Sequence, residues 1–418
     1  MAIITRTLSC GLPLIIEPNT NVRSAAVMWL IPAGIGSDPA DRIGLAPVIT
    51  ELLMRGSTTL DSRAQADAFD LLGASRSVSA GGTFVRVSAG FIGDRCPAVL
   101  DLLVDMVRRP LFAAEALEPT RELALQSLAG LKDEPVERAG HIMLDRHLPL
   151  PINRSDLGTE AGLKAITLSD VVKKWQQRAL PVGSILAIAG NVDADAIAAQ
   201  LDRALSSWSG TAAPLKLEPN PNAGTYHHET EQSNQTHIFL SHDAPAEGSK
   251  DVALERVVAS VLSGGSSCRL FTEVRERRGL CYSVSASYAA EKDFGRVGCY
   301  VGTTPEKAQQ SIDVMHAELC KLMGGGNVER EEFDRALVGA RTRLVFAGES
   351  MAARATSLAS DFYRLGRART LDELAAEMQA ITLPQVNDYL TRRGFGSTSV
   401  VTLGPSPLTM PASLALKA

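Results

Sequence analysis

The 418-residue chain lacks several features that would place it quickly, and each absence narrows its class. No apolar run reaches the roughly 18 to 20 residues that a bilayer-spanning helix needs, so a membrane role is not expected. The six cysteines, Cys10, Cys96, Cys268, Cys281, Cys299 and Cys320, include no C-x-x-C pair. The first residues, Met1 to Gly11, show no basic segment followed by an apolar core, so a secretory leader is not expected. Reduced thiols in a cytoplasmic setting follow as the expectation. A formal net charge of −5 gives no electrostatic reason to bind nucleic acid or an anionic membrane surface.

What is present is an ordinary globular composition, 45% hydrophobic and 21% charged, in a chain too long for one core. The chain repeats itself. Ile166-Thr167-Leu168 followed by Val171 and Trp175 matches Ile381-Thr382-Leu383 followed by Val386 and Tyr389. Each Thr suits a helix N-cap, with the valine and the aromatic on one face. Each helix is followed by an apolar strand, Ser184 to Ala189 and Thr398 to Leu403. Upstream, the strand Val85 to Phe91 runs into an amphipathic helix holding Val99, Leu100, Leu103, Val104 and Met106. The strand Gly298 to Gly302 runs likewise into one holding Ala308, Ile312, Val314 and Met315. Long helices are expected near Leu117 to Leu131 and Glu329 to Leu344. The repeat predicts two homologous domains, 1–210 and 226–418, joined by a linker over 211–225 that holds Pro214, Pro219 and Pro221. Strand runs and helix runs are segregated. The expected class is therefore α+β, with two α/β-roll domains built on mainly antiparallel sheets in tandem, clam-like.

The chemistry-bearing run is Ser266-Ser267-Cys268-Arg269-Leu270-Phe271-Thr272-Glu273-Val274-Arg275-Glu276-Arg277-Arg278-Gly279-Leu280-Cys281-Tyr282-Ser283-Val284. On residue types alone, Arg275 is a helix surface charge able to pair with Glu273 or Glu276, and Tyr282 a core aromatic on a strand. The whole run, however, resembles the second domain of the pitrilysin/insulinase-type zinc metallopeptidases, a family that includes mitochondrial processing peptidase and paired bacterial relatives. Leu8 to Ile15 resembles that family's opening hairpin. Ala33-Gly34-Ile35-Gly36-Ser37-Asp38 and Gly44-Leu45-Ala46 resemble the approach to its zinc helix.

That resemblance implies an H-x-x-E-H motif directly after Gly44-Leu45-Ala46, and here the sequence departs from it. Pro47, Thr50 and Glu51 stand where two histidine ligands and the water-activating Glu belong. The third ligand, a downstream Glu, is matched by Gln126 or Ser127. The chain's own histidines are spaced as structural residues, not as a rescued ligand set: His141 and His147 are six apart, and His227 and His228 are adjacent. No metal or cofactor is therefore expected in this chain.

The resemblance further implies that Arg275 and Tyr282 act as hydrogen-bond donors to the oxyanion or the peptide backbone, opposite zinc carried by a sister subunit with an intact H-x-x-E-H. Gly264, Gly265, Ser266 and Ser267 are either a helix-end turn or a small-residue lining for a peptide channel. They are not a phosphate loop, since no G-K-[ST] follows. Cys281, with no histidine in register, reads as a buried structural thiol. The leading expectation is a zinc-less subunit of a heterodimeric metalloendopeptidase, inactive alone. The alternative is a catalytically inactive scaffold or peptide-binding homodimer of the same fold.

Overall fold

The computed structural model describes residues 2–325, 327–414 and 416–417. The chain forms two compact units, each built on one sheet.

The first unit comprises Met1–Gly130, Pro149–Glu218 and Ala347–Thr370. Its six strands are β1 (Ile4–Thr7), β2 (Pro13–Pro18), β3 (Ser24–Ile31), β4 (Ser75–Ala80), β5 (Val85–Ile92) and β6 (Ile185–Gly190). They lie in the order β1-β2-β6-β3-β5-β4. Only β2 and β6 run parallel among them. The opening hairpin closes at Gly11, whose φ of +87° suits a residue without a Cβ. In β3 the side chains divide by alternation. Ala25, Val27, Trp29 and Ile31 enter one core with the helices Leu45–Leu53 and Cys96–Arg108. Ala26, Met28 and Leu30 enter another, against Met351, Ala355, Leu358 and Ala359.

That second contact explains why β3 and β6 read as continuous apolar runs: both faces of the sheet are covered. The covering helix, Met351–Leu365, comes from the C-terminal half of the sequence. Its Arg354 is buried and forks onto the buried carboxylate of Glu17 on β2.

The second unit comprises Leu131–Leu148, Pro219–Phe346 and Leu371–Ala418. Its strands are β7 (Tyr226–Thr230), β8 (Thr236–Ala244), β9 (Cys281–Ala290), β10 (Gly295–Thr303) and β11 (Thr398–Gly404). The order β7-β11-β8-β10-β9 reproduces the first sheet position for position from its second strand onward, again with one parallel pair, β7 with β11. One face carries Ile238, Leu240, Val297, Cys299, Val301 and Val400 into an aliphatic core. Over β8 and β11 lies helix Pro135–His147, from the N-terminal half of the sequence. Its His147 Nδ1 lies 3.0 Å from Ser399 Oγ.

The repeated helices form as the sequence predicts. Thr167 and Thr382 each close a capping box, with Asp170 and Gln385 respectively. Val171, Trp175, Val386 and Tyr389 are all buried. The two-domain α+β class with mainly antiparallel sheets is thus the observed one.

The units are not the contiguous runs 1–210 and 226–418. Each includes a helix from the other half of the sequence, because each sheet has a second face that its own half leaves uncovered. The chain passes between the units five times, at Gly130/Leu131, Leu148/Pro149, Glu218/Pro219, Phe346/Ala347 and Thr370/Leu371, and only the third passage falls within the expected 211–225 segment. That segment is pinned at several points. Ala212 donates to Val182 O at 2.9 Å, and Asn220 Nδ2 donates to the carbonyls of Asp145 and Leu148.

Candidate functional site

The degenerate zinc positions lie in the first unit, on helix Leu45–Leu53. Its N-terminus is anchored by buried Asp38, which accepts from the backbone N–H groups of Gly44 (3.0 Å) and Ala46 (3.1 Å) and pairs with buried Lys174. Pro47 offers no side-chain donor atom. Thr50 is buried, and its hydroxyl donates to Pro47 O at 2.7 Å. Glu51 is exposed and pairs with Arg55 at 2.9 Å.

Helix Ala114–Gly130 packs against this helix. There Gln126 is exposed, and Ser127 Oγ donates to Leu123 O at 3.0 Å. One carboxylate already paired on the surface, with a proline and a self-satisfied threonine beside it, does not fit catalytic zinc. Among the described residues no group of three or more His, Cys, Asp or Glu is placed to hold a metal ion.

The Arg/Tyr pair lies in the second unit. Helix Val252–Ser263 ends at Gly264, and Gly264, Gly265, Ser266 and Ser267 follow as exposed backbone. They line a recess of about 250 Å³ together with Glu332 and Arg335, and neither Arg275 nor Tyr282 is part of its lining. Arg269 forks onto Glu332, with Nε to Oε1 at 2.6 Å and Nη2 to Oε2 at 2.7 Å, and so clamps the turn to helix Arg330–Glu349.

A π-helical stretch, Phe271–Glu276, follows. It ends at Gly279 (φ +56°), where Leu280 N reaches back to Val274 O at 3.0 Å, a Schellman-type stop. Three arginines crowd this stretch. Arg277 and Arg278 both pair with Glu273, each at 2.5 Å. Arg275 has no carboxylate partner among the described residues; its guanidinium lies 4.8 Å from the centre of the Phe271 ring. The purely structural role open to Arg275, pairing with Glu273 or Glu276, is therefore not the one it takes.

Tyr282 owes its orientation to a β-bulge. Along β10, Gly302 pairs with Ser283 and Thr303 with Cys281, so Tyr282 has no partner across the ladder. Val284, Ala286 and Tyr288 face the aliphatic core, and strict alternation would turn Tyr282 inward with them. The extra residue reverses the phase. Cys281 takes the core side, while Tyr282 emerges 46% exposed over Gly302. Its hydroxyl donates to Gln235 Oε1 at 2.8 Å.

Behind Tyr282 stands Tyr300, whose hydroxyl lies 3.0 Å from His237 Nδ1. Burial pushes the Tyr300 hydroxyl well above its ordinary pKa, and the hydrogen bond with Tyr282 adds to this, so it stays a neutral donor. Burial also raises the Cys281 thiol, with the nearby Arg275 charge opposing. Cys281 is thus a protonated, structural thiol. The sequence reading missed Gln235, His237, Tyr300 and Gly302. The one local signal for them was the glycine at 302, late in strand β10.

The histidines are structural. His242 is fully buried, and its pKa is pushed down to about 3 by burial and by Arg393. His147 is pushed down to about 4, again chiefly by burial. No described helix is long and apolar enough to cross a membrane.

Comparison with known proteins agrees with this geometry. Residues 14–151 match the family model described as Insulinase (Peptidase family M16), and residues 165–338 match the one described as Peptidase M16 inactive domain. The chain is 26% identical over 411 residues to an uncharacterized zinc protease of Mycobacterium tuberculosis, covering 96% of this chain and 92% of that protein. It is 25% identical over 386 residues to an uncharacterized zinc protease of Bacillus subtilis, covering 90% and 92%. Among solved structures, the peptidase M16 inactive domain from Pseudomonas fluorescens superposes with a TM-score of 0.85 at 21% identity, covering 98% of this chain and all of that one. A protease from Helicobacter pylori gives 0.87 at 16% identity, covering 96% and 99%. At those identities the two structures establish the fold alone. With a missing zinc motif at 47, 50 and 51, and with both family models matched in order along its length, this chain belongs to the insulinase-type M16 peptidase family.

Proposed function

We propose that this chain is the non-zinc-binding subunit of a two-chain metallopeptidase. A sister subunit with an intact H-x-x-E-H would hold zinc, which supplies Lewis-acid activation of water. This chain's part is to bind the peptide and stabilise developing charge. The observation that carries the reading is the state of Arg275 and Tyr282: the one has no carboxylate partner among the described residues, and the other is turned out of the core by a bulge. A fold that kept them only for stability has no use for either arrangement. Arg275 offers a planar cationic fork, and Tyr282 a hydroxyl that can turn from Gln235 Oε1 to donate to the peptide. Gly264 to Ser267 are carried as a secondary peptide contact, on the strength of their exposed backbone.

The test is reconstitution with an H-x-x-E-H-bearing sister chain. Peptide cleavage is expected only from the mixture. Arg275→Ala and Tyr282→Phe are each expected to lower turnover by about 10²- to 10³-fold while leaving assembly intact. Wild-type rates from both assembled variants would instead make this chain a catalytically inactive scaffold of the same fold.

A further inference from the structure

Alternation divides β10. Val297, Cys299 and Val301 enter the core, so Arg296, Gly298, Tyr300 and Gly302 share the other face. The β9 residues paired with them are Ala289, Ser287, Ser285 and Ser283 in turn. All four are small, and Ser285 and Ser287 are exposed. This face is thus a low strip of sheet, with Tyr282 over Gly302 at one end and Arg296 at the other.

Arg296 is half-buried, and among the described residues its side chain makes no hydrogen bond, ion pair or ring contact. The other arginines in that condition, Arg23, Arg86, Arg203 and Arg341, are all exposed. Asp243 stands directly across on β8, yet its carboxylate is turned toward β11 and accepts from Ser397 N at 2.7 Å. Burial is the main influence on the Arg296 guanidinium and lowers its pKa, with Glu291 opposing from beyond ion-pair distance. Arg296 Nη1 stands 3.0 Å from where a Cβ on Gly298 would begin, so the side chain lies back along the strip. A cation partly withdrawn from water and left without a carboxylate is costly unless an anion arrives to meet it.

We propose that Arg296 receives a carboxylate of the bound peptide, and so selects peptides with an acidic side chain or a free carboxyl end at that point. Its planar fork suits a carboxylate bidentately. Gly298 and Gly302 are four residues apart on β10, about 13 Å. An extended peptide lying along the strip therefore places its carboxylate about four residues from the bond held at Tyr282. That spacing rests on the function proposed above; recognition of the carboxylate by Arg296 does not.

The test is calorimetric titration of the full chain, without a sister subunit, with acetylated peptides of otherwise uncharged residues. One decapeptide amide carries a central Glu, and a second carries Gln in its place. A third peptide stops at that position in a free carboxylate. At least one carboxylate peptide is expected to bind about tenfold tighter than the Gln peptide. An advantage for Glu alone makes the recognised group a side chain, and for the free end alone a terminus. Arg296→Gln is expected to abolish the advantage, and Arg296→Lys to keep part of it. Equal affinity for all three peptides, or binding by none, overturns the proposal whether or not the variants fold. So does an advantage that survives in Arg296→Gln, or, if that variant does not fold, one undiminished in Arg296→Lys. In the reconstituted mixture, Arg296→Gln is expected to raise KM for the carboxylate peptide more than it changes kcat. Cleavage indifferent to the carboxylate would sink the Arg296 site and leave the catalytic reading. A carboxylate preference in binding, with no cleavage by the mixture, would do the reverse.

Discussion

The hydroxyl of Tyr282 sits where a side chain at Gly302 would begin: a Cβ built on Gly302 stands 2.5 Å from that oxygen, and 2.5 Å from the hydroxyl of Tyr300. Gly302→Ala must therefore move both rings. The expected cost is about 1 to 3 kcal/mol, from overpacking. Gly298→Ala is the control on the same strand, since its Cβ meets only the flexible end of Arg296, at 3.0 Å. Thermal midpoints of the two variants should separate clearly. If they coincide, Tyr282 is not held over Gly302 in solution.

Stability should fall on the acid side through buried histidines. His242 and His147 have folded-state pKa values pushed down to about 3 and about 4, from an ordinary value near 6.5. The unfolded chain takes up protons first as pH drops. Their contribution is thus complete above about pH 6.5 and is lost between there and about pH 4 to 3. Each is worth on the order of a few kcal/mol across that window. Urea unfolding followed from pH 7.5 to pH 4.5 should show the decline, and His242→Leu should flatten part of it. A variant as pH-sensitive as the wild type would exclude His242 as a source.

Arg354→Met leaves the Glu17 carboxylate buried without its partner. The loss should be about 3 to 5 kcal/mol. The double change with Glu17→Gln should recover a substantial part, because an unpaired buried charge costs more than an apolar contact in its place. A double variant no more stable than Arg354→Met would show that the helix is held by its packing against β3 and β6 alone.

The purified chain should carry no stoichiometric zinc after dialysis, read by elemental analysis. The reason lies in Pro47, Thr50 and Glu51, and in Gln126 and Ser127, none of which completes a ligand set. About one zinc per chain, lost on replacing any histidine, would reveal a site the sequence and the side-chain placement do not suggest.

The sequence carried the repeat well because its signals are local. The Thr caps, the valine and aromatic on one face, and the strands after each helix all lie within about two dozen residues. The turn of Tyr282 was not legible. Alternation from Val284 to Tyr288 puts position 282 in phase with the core, and a one-residue bulge is a property of the pairing with β10, not of β9. The placement of Arg275 over the Phe271 ring, not on Glu273, was likewise hidden, because Glu273 could have served any of three arginines. The apolar runs of β3 and β6 did announce a second covered face. What covers it, a helix that begins 161 residues after β6 and 320 after β3, leaves no mark near those strands.

That order along the chain has a consequence for synthesis. The last strand of the first sheet ends at Gly190, and the helix that caps Ala26, Met28 and Leu30 begins at Met351. At about 5 to 20 residues per second, the growing chain presents that apolar face for roughly 8 to 30 seconds before its cover leaves the ribosome. During that interval a nascent chain must be shielded by other proteins or risk sticking to its neighbours. A message truncated anywhere before residue 351 yields a product that keeps this face bare.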